Sequence, residues 1–404
     1  MKVLVLGERE SCSDYVAWAS LNNVIPVFAT PPVIDLDTPV ESWPKSVSDS
    51  IRADVSLADI DDVISFHDSY QIQLDALREW MGLPSRDLRT LRILADKTSF
   101  KAHPAVRRYI TKHVDLPNGM NAAAALDTVE EAGLSFPLVL KPSNGFYSAG
   151  VIMVTQPSEF APAYKQTRRV GSVLRQGTGH TTLIAEEYID GKEYAVDGFV
   201  KDGAVFPLQI HRKLPPLVGP LFHEVAYLTE PFDEALGVGF RAMLEALTRG
   251  LGLNNSPFHA EFRFDAEGRQ LILELAPRLC GGGTTTYQQL AICTGMDAYA
   301  LLHSVYKTGF ELVATEDAVA LEFDAPIPDS GFLHALDEAV AVCRDRGAVT
   351  VYLDKQDGDY VLAPPLNFET VLTAYFKLDS RASAEALLAD LIDNCKLRTS
   401  ASKE

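Results

Sequence analysis

Short apolar runs alternate with amphipathic stretches in the first part of the chain. Residues 2–6 (KVLVL) are continuously apolar and end at Gly7, which is typical of a parallel strand buried on both faces. A helical stretch at 15–21 and a second apolar run at 24–28 complete a β-α-β unit, and a weaker strand and helix follow. This alternation predicts a small α/β layer domain over residues 1–95.

The rest of the chain alternates strand and helix patterns in a less regular order. Helices are predicted at 85–115, 121–132, 157–169 and 232–250, and strands at 136–141, 151–155 and 183–187, with a meander up to residue 210. From about residue 311 the pattern returns to mixed strand and helix, and residues 397–404 are predicted to be a frayed tail. We therefore expect a central domain over 96–310 and a C-terminal subdomain over 311–404.

Length and charge restrict the class of protein. A chain of 404 residues favours about two or three domains. The formal net charge is −19, which disfavours nucleic acids and anionic membrane surfaces as partners. No run reaches the ~18 apolar residues of a membrane helix, and the N-terminus lacks a signal-peptide pattern. The five cysteines are widely spaced, which fits a reducing compartment, so we expect a cytoplasmic protein without disulfides or structural zinc.

The segment 259–276 (HAEFRFDAEGRQLILELA) has the alternation of a β-hairpin. A two-residue turn at Glu267-Gly268 places Glu261 directly opposite Glu274 on one face. Like charges in that position are destabilising unless a cation holds them, and oxygen ligands of this kind suit Mg²⁺. The alternative is a solvated sheet face with two ordinary glutamates.

The residues after this hairpin favour a functional interpretation. Arg278 follows at once, and Gly281, Gly282 and Gly283 come next. A guanidinium and a flexible backbone beside two carboxylates can hold a phosphate or an oxyanion. Arg278 could equally form a structural salt bridge.

A glycine-containing loop follows the buried strand at 136–141. The strand ends at Lys141, and the loop carries Gly145, Ser148 and Gly150. Backbone N–H groups of such a loop can bind phosphates while the lysine supplies a positive charge. The chain contains no GxxxxGK[ST] sequence, so this is not a Walker A loop, and a plain turn is the alternative.

A third candidate segment begins at the strand 183–187. Its end offers backbone hydrogen-bonding groups and an apolar wall suited to a purine edge, contributed by Glu186, Glu187, Tyr188 and Ile189. Glu193 could accept hydrogen bonds from ribose hydroxyls. A hairpin with surface acids is the alternative.

Taken in this order, the three segments resemble the ATP-grasp superfamily of carboxylate–amine ligases, most specifically over 136–283. The resemblance implies ATP-binding roles for Lys97, Lys141, Ser148, Gly150, Glu186, Glu187, Tyr188, Ile189 and Glu193. It implies that Glu261 and Glu274 bind Mg²⁺ or Mn²⁺, and that Arg278 is the catalytic arginine that steadies an acyl-phosphate.

The resemblance also implies a fold and an activity. The fold class is α/β (α+β): a pre-ATP-grasp domain at 1–95, an ATP-grasp domain at 96–310 with a mobile lid at about 115–185, and a C-terminal region. The activity is ATP-dependent joining of a small-molecule carboxylate, an amino acid, to an amine through an acyl-phosphate, as in the L-amino acid ligases that make dipeptides. Whether the protein forms a homodimer stays open at this point.

Two departures and several alternatives remain. Many members have a metal-binding Asn at the position of Ala276, whereas the ATP-grasp carboxylases of purine synthesis resemble this chain in having A-P-R there. Tyr147 stands where a second loop glycine is common. Candidate substrate-binding residues are His223, Glu224, His259, Gly282 and Gly283. The alternative functions are a carboxylase that uses bicarbonate and an ATP-binding module without activity.

Overall fold

The structure is a computed structural model. It describes residues 1–9, 12–32, 42–51, 55–145, 148–174, 182–215, 222, 224–233, 239–308, 310–363 and 370–402. Within these ranges, no helix is both long and apolar enough to cross a bilayer.

A parallel three-stranded sheet forms the N-terminal layer, in the order β2-β1-β3. The strands are β1 (Lys2–Leu6), β2 (Ile25–Ala29) and β3 (Asp62–Ile64), and the helices are α1 (Ser13–Leu21), α2 (Trp43–Ser50), α3 (Gln71–Trp80) and α4 (Leu88–Ala95). Residues 3–6 of β1 are completely buried, as the continuous apolar run predicts for a central parallel strand.

A small antiparallel sheet follows, in the order β4-β7-β5-β6. Its strands are β4 (His113–Leu116), β5 (Leu138–Pro142), β6 (Ile152–Val154) and β7 (Leu183–Glu187), with the helices α5 (Lys97–Ala102), α6 (Ala122–Glu131) and α7 (Pro157–Leu174) nearby in the chain. The helix prediction for 85–115 is wrong at its end, because residues 113–116 pair with β7 instead. Pairing with a partner distant in sequence decides the conformation of so short a segment.

An eight-stranded sheet is the largest element, in the order β12-β11-β8-β9-β10-β13-β17-β15. Its strands are β8 (Glu193–Lys201), β9 (Ala204–Leu214), β10 (Ala226–Pro231), β11 (Ser256–Phe264), β12 (Gln270–Ala276), β13 (Val319–Asp324), β15 (Thr350–Leu353) and β17 (Leu372–Leu378). Helix α8 (Phe240–Leu251) begins later than the predicted residue 232, and β10 had not been predicted. Strands on both sides of residue 310 share this sheet, and the domain boundary there stays a prediction.

Among the described residues after 284, four helices and a second small antiparallel sheet complete the fold. The helices are α9 (Thr285–Thr294), α10 (Ala298–Ser304), α11 (Leu336–Asp345) and α12 (Arg381–Asn394), and the sheet consists of β14 (Gly331–His334), β16 (Tyr360–Val361) and β18 (Arg398–Ser400). The predicted frayed tail is wrong at β18, which pairs with β14. Leu397 is buried in the same hydrophobic core as the neighbouring helices, and this burial fixes the tail.

The hairpin of β11 and β12 has the predicted cross-strand pair, but its turn differs from the predicted one. Glu261 lies opposite Glu274. The turn is a three-residue loop closed by the hydrogen bond from Asp265 N–H to Arg269 O, with Gly268 at a positive φ of 76°, so the predicted two-residue turn is wrong. This loop shifts the register by one residue, and a bulge at Leu273 shifts it back before Glu274.

Candidate active site

A cavity of ≈ 230 Å³ collects most of the residues singled out in the sequence. It is lined by the eight-stranded sheet, by the end of β7, by the loop after β5 and by the N-terminal segment that follows β3. The predicted residues on its wall are Lys97, Lys141, Ser148, Glu186, Glu187, Tyr188, Ile189, Glu193, Glu224, His259, Glu261, Glu274, Arg278 and Gly282. Segments separated by more than a hundred residues in sequence thus meet in one site.

Two predicted site residues among those described, Gly150 and Gly283, do not line the cavity. Gly150 has a φ of 76°, and a Cβ atom there would lie 3.1 Å from Val170, so this glycine lets the loop pack closely against α7. Gly283 has a φ of 99°, and a Cβ atom would lie 2.8 Å from the ring of Phe66. His223 lies outside the described residues.

The two predicted metal ligands are each neutralised by a lysine. Glu274 Oε2 lies 3.0 Å from Lys97 Nζ, and Glu261 Oε1 lies 2.7 Å from Lys213 Nζ. Burial alone would lower the pKa of Lys97, but Glu274 raises it above its ordinary value. Over the ranges that the structure describes, Glu261 Oε2 and Glu274 Oε1 have no polar protein partner.

Lys213 is the centre of a carboxylate cluster. Its ammonium lies 2.8 Å from Glu193, 2.6 Å from Glu224 and 2.7 Å from Glu261, and its side chain is 1% exposed. Three carboxylate oxygens of this cluster approach one another within 4.8 Å, an arrangement that could also hold a metal ion. Burial would lower the pKa of Lys213, but the three carboxylates raise it well above its ordinary value. The cluster is therefore already compensated by an ammonium group.

A buried network supports His259, which was predicted as a substrate contact. Asp197 Oδ2 lies 2.7 Å from His211 Nε2 and 3.0 Å from His259 Nδ1, and Asp197 Oδ1 accepts from the Cys280 N–H at 2.9 Å. Burial would lower the pKa of His259, but Asp197 and then Glu261 raise it to about 9. His259 is thus a hydrogen-bonded, charged histidine whose Nε2 lies 3.5 Å from Glu261.

Glu186 lies between two lysines. Its Oε1 is 2.5 Å from Lys141 Nζ and its Oε2 is 2.7 Å from Lys101 Nζ. Burial alone would raise the pKa of Glu186, but the two ammonium groups lower it to about 2. Lys141 was predicted from the sequence to bind ATP, and Lys101 was not predicted as a site residue. The spacing of four from Lys97 to Lys101 was nevertheless a signal for two lysines on one helix face.

Arg263 fixes the segment predicted to bind adenine. It donates to Ile189 O at 3.0 Å and to Glu193 Oε2 at 2.8 Å, and its guanidinium lies over the rings of Tyr188 and Phe222. Tyr188, from this segment, and Phe222, from outside it, both present an aromatic ring to the cavity. Both oxygens of Glu193 are engaged by buried cations, one by Arg263 and one by Lys213.

Arg278 is held by a residue that the sequence reasoning missed. Its guanidinium lies 2.5 Å from Asp68, which belongs to the 3₁₀ turn after β3 in the N-terminal layer. His67, Asp68 and Ser69 line the same cavity. Only the packing of the N-terminal layer against the large sheet brings Asp68 and Arg278 together, so no local sequence signal marked it.

Comparison with known proteins agrees with this geometry. The model of the ATP-grasp domain matches residues 134–287. The chain carries an ATP-grasp domain. A crystal structure of an L-amino acid ligase from Bacillus licheniformis superposes with a TM-score of 0.81 at 19% identity, covering 99% of this chain and 98% of that one. The ATP-grasp resemblance and the fold class predicted from the sequence are therefore confirmed.

Two curated relatives match part of the chain. The ATP-grasp enzyme fsqD of Aspergillus fumigatus is 27% identical over 215 residues, covering 50% of this chain and 35% of that protein. An alanine–anticapsin ligase of Bacillus amyloliquefaciens is 31% identical over 168 residues, covering 36% of this chain and 34% of that protein. The matched regions thus span about a third of each relative.

Proposed function

We propose that the protein is an ATP-dependent carboxylate–amine ligase that acts on amino acids and forms an amide or peptide bond. The observation that carries this proposal is the meeting in one cavity of the cross-strand pair Glu261 and Glu274, two lysines and Arg278. Two relatives, one named as an alanine–anticapsin ligase and one as an L-arginine-specific L-amino acid ligase, support the same class of reaction.

The nucleotide would lie along the wall that joins β7 to the loop after β5. Tyr188 and Phe222 offer apolar surface to the adenine, and Glu186, Glu187 and Ile189 also line the cavity. Lys141, Ser148 and Lys97 line the part of the cavity suited to the phosphates. These cationic and backbone donors favour binding of the triphosphate despite the acidic chain.

Glu261 and Glu274 fit a divalent cation. Both are oxygen donors, they lie directly opposite each other, and each retains one carboxylate oxygen without a polar partner among the described residues. Ala276 adds no donor, so we place the cation on these two side chains. Bound there, Mg²⁺ or Mn²⁺ would neutralise charge on the phosphates during phosphoryl transfer.

The reaction would proceed in two steps. A carboxylate oxygen of the first substrate forms a bond to the γ-phosphorus of ATP, and the bond from this phosphorus to the β,γ-bridging oxygen breaks to release ADP. The amine then attacks the acyl carbon, the carbon–oxygen bond to phosphate breaks, and a proton leaves the nitrogen. Arg278 would hold the developing oxyanion, and the Gly281–Gly283 turn lies beside it.

Assay of the purified chain tests this proposal. We expect phosphate release from ATP only when an amino-acid carboxylate and an amine are both present, with the coupled product detected by mass spectrometry across a panel of amino-acid pairs. ATP hydrolysis that is independent of both substrates, or ATP binding without any product, would contradict a ligase.

A carboxylase is the second candidate, and the Ala276-Pro277-Arg278 sequence favours it. A carboxylase would release phosphate in response to bicarbonate without a second carboxylate. Running the same panel with and without bicarbonate separates the two reactions.

A further inference from the structure

Lys101 is a buried lysine behind the wall of the cavity. It lies one helical turn after Lys97 on α5, and its side chain is 1% exposed. Its Nζ lies 2.7 Å from Glu186, whose other oxygen lies 2.5 Å from Lys141. Burying an ammonium group is costly unless a carboxylate compensates it, and here one carboxylate serves two ammonium groups.

Lys101, Lys141 and Glu186 together carry more positive than negative charge, because two ammonium groups are paired with one carboxylate. Lys97 is paired with Glu274, whereas Lys101 and Lys141 are both paired with Glu186, which is the carboxylate in direct contact with these two lysines among the described residues. Lys141 lines the cavity, and Lys101 is absent from its described wall. If Lys101 were absent, Glu186 and Lys141 would form a neutral pair. No second ammonium group would then compete with Lys141 for the Glu186 carboxylate.

We propose that Lys101 is a positioning residue for nucleotide binding: by pairing with Glu186 it leaves Lys141 with the net charge that attracts the phosphates. The inference rests on the proposed function, which places ATP in this cavity. Lys101 acts through Glu186 and Lys141 and does not touch the nucleotide. Because attraction between charges is strong in a site of low polarity, the effect depends on the phosphates of the ligand rather than on its base.

A purely structural ion pair predicts a different result. In that case loss of Lys101 would lower the stability of the fold and weaken all ligands of the cavity to a similar degree. Phosphate-bearing and phosphate-free ligands therefore distinguish the two roles.

Isothermal titration of the full chain with Mg²⁺-ADP and with adenosine tests the proposal. We expect Lys101→Met to raise the Kd of ADP about tenfold or more while the Kd of adenosine changes by less than about threefold. Glu186→Gln is titrated alongside, because it removes the shared partner of both lysines together with any direct contact of the Glu186 side chain with the nucleotide. The double variant Lys101→Met/Glu186→Gln restores the surplus charge and should return the Kd of ADP to within about threefold of the wild type.

Lys112→Met is the matched control. Lys112 is an exposed lysine beside β4 that donates to Gly133 O, and its loss removes one positive charge without touching Glu186. ADP affinity should stay at the wild-type value in this variant. An equal loss for ADP and adenosine in Lys101→Met, or no rescue in the double variant, would overturn the proposal.

The experiment also separates this inference from the proposed function. If the wild type fails to bind ADP, the proposed function is wrong and the inference falls with it. If the wild type binds ADP and Lys101→Met binds it equally well, only the role of Lys101 is wrong. Thermal unfolding of each variant checks folding. If Lys101→Met alone does not fold, Lys101→Gln is titrated in its place: a loss of ADP affinity of about tenfold, with adenosine changed by less than about threefold, supports the role of Lys101, and the wild-type ADP affinity overturns it.

Discussion

Glu261 lies directly across from Glu274 on the β11–β12 hairpin, and each carboxylate is paired with a different lysine. Two like charges in this position would destabilise an isolated hairpin. Lys213 from β9 and Lys97 from α5 compensate them, so the pair can be kept at a site where a divalent cation would bind.

Replacing Glu274 tests the metal assignment. Glu274→Gln keeps the shape of the side chain and removes one charged ligand, so we expect kcat to fall by about a hundredfold or more and the Mg²⁺ requirement to rise. Phosphate release measured over a range of Mg²⁺ concentrations checks this. Glu267→Gln, an exposed change in the turn of the same hairpin, is the control, and wild-type turnover in Glu274→Gln would show that the assignment is wrong.

Without Lys213, the carboxylates of Glu193, Glu224 and Glu261 should repel one another. We expect Lys213→Met to lose about 3 kcal/mol or more of unfolding free energy, because uncompensated buried charges are strongly destabilising. Added Ca²⁺ or Mn²⁺ should restore part of this loss by occupying the place of the ammonium group.

Chemical denaturation with and without divalent cations measures both effects. Lys377→Met removes a lysine from an exposed ion pair with Glu316 and should cost less than about 1 kcal/mol. Equal losses in the two variants would mean that the carboxylate cluster is not held by Lys213.

The Arg278 guanidinium should be needed for chemistry more than for nucleotide binding. A lysine cannot reproduce its planar fork, so we expect Arg278→Lys to lower kcat about a hundredfold while the Kd of ADP changes by less than about threefold. Steady-state kinetics and ADP titration separate the two quantities. Arg249→Lys, at the exposed end of α8, is the control, and a loss confined to ADP binding would contradict the assigned role.

Stability should depend on pH through a buried acid on β13. Burial raises the pKa of Asp324 on β13 to about 7. Between the unfolded pKa and pH 7, the folded state therefore keeps a proton that the unfolded chain has released. The stabilisation linked to this proton is fully present below the unfolded pKa, and it is lost as the pH rises toward 7.

Comparison of wild type with Asp324→Asn isolates this contribution. Between pH 5 and 6.5, the wild type should lose about 1 kcal/mol more unfolding free energy per pH unit than the variant. Urea unfolding at several pH values measures the two slopes. Parallel slopes would show that Asp324 has no raised pKa in the folded protein.

The strands and helices with strong periodic patterns could be predicted locally. The strands at 2–6 and 183–187 were both correct. The first is a continuous apolar run typical of a central strand, and the second begins with the apolar residues LIA and ends in two glutamates. The strands at 113–116 and 398–400 were missed, because each is short and depends on a partner strand distant in sequence. The pairing of Glu261 with Glu274 was predicted correctly from a wrong turn, since the bulge at Leu273 compensates for the longer loop.

The sequence by itself determined the chemical types in the candidate site, because carboxylates, lysines and glycines at characteristic spacings can be recognised without coordinates. The tertiary structure alone decided which charges compensate which. Lys213, Lys101 and Asp68 come from strands, helices and turns far from the residues they hold, and only packing brings them within hydrogen-bonding distance. Electrostatic energy depends on separation and burial rather than on sequence spacing, so these relationships could not be derived from the order of residues.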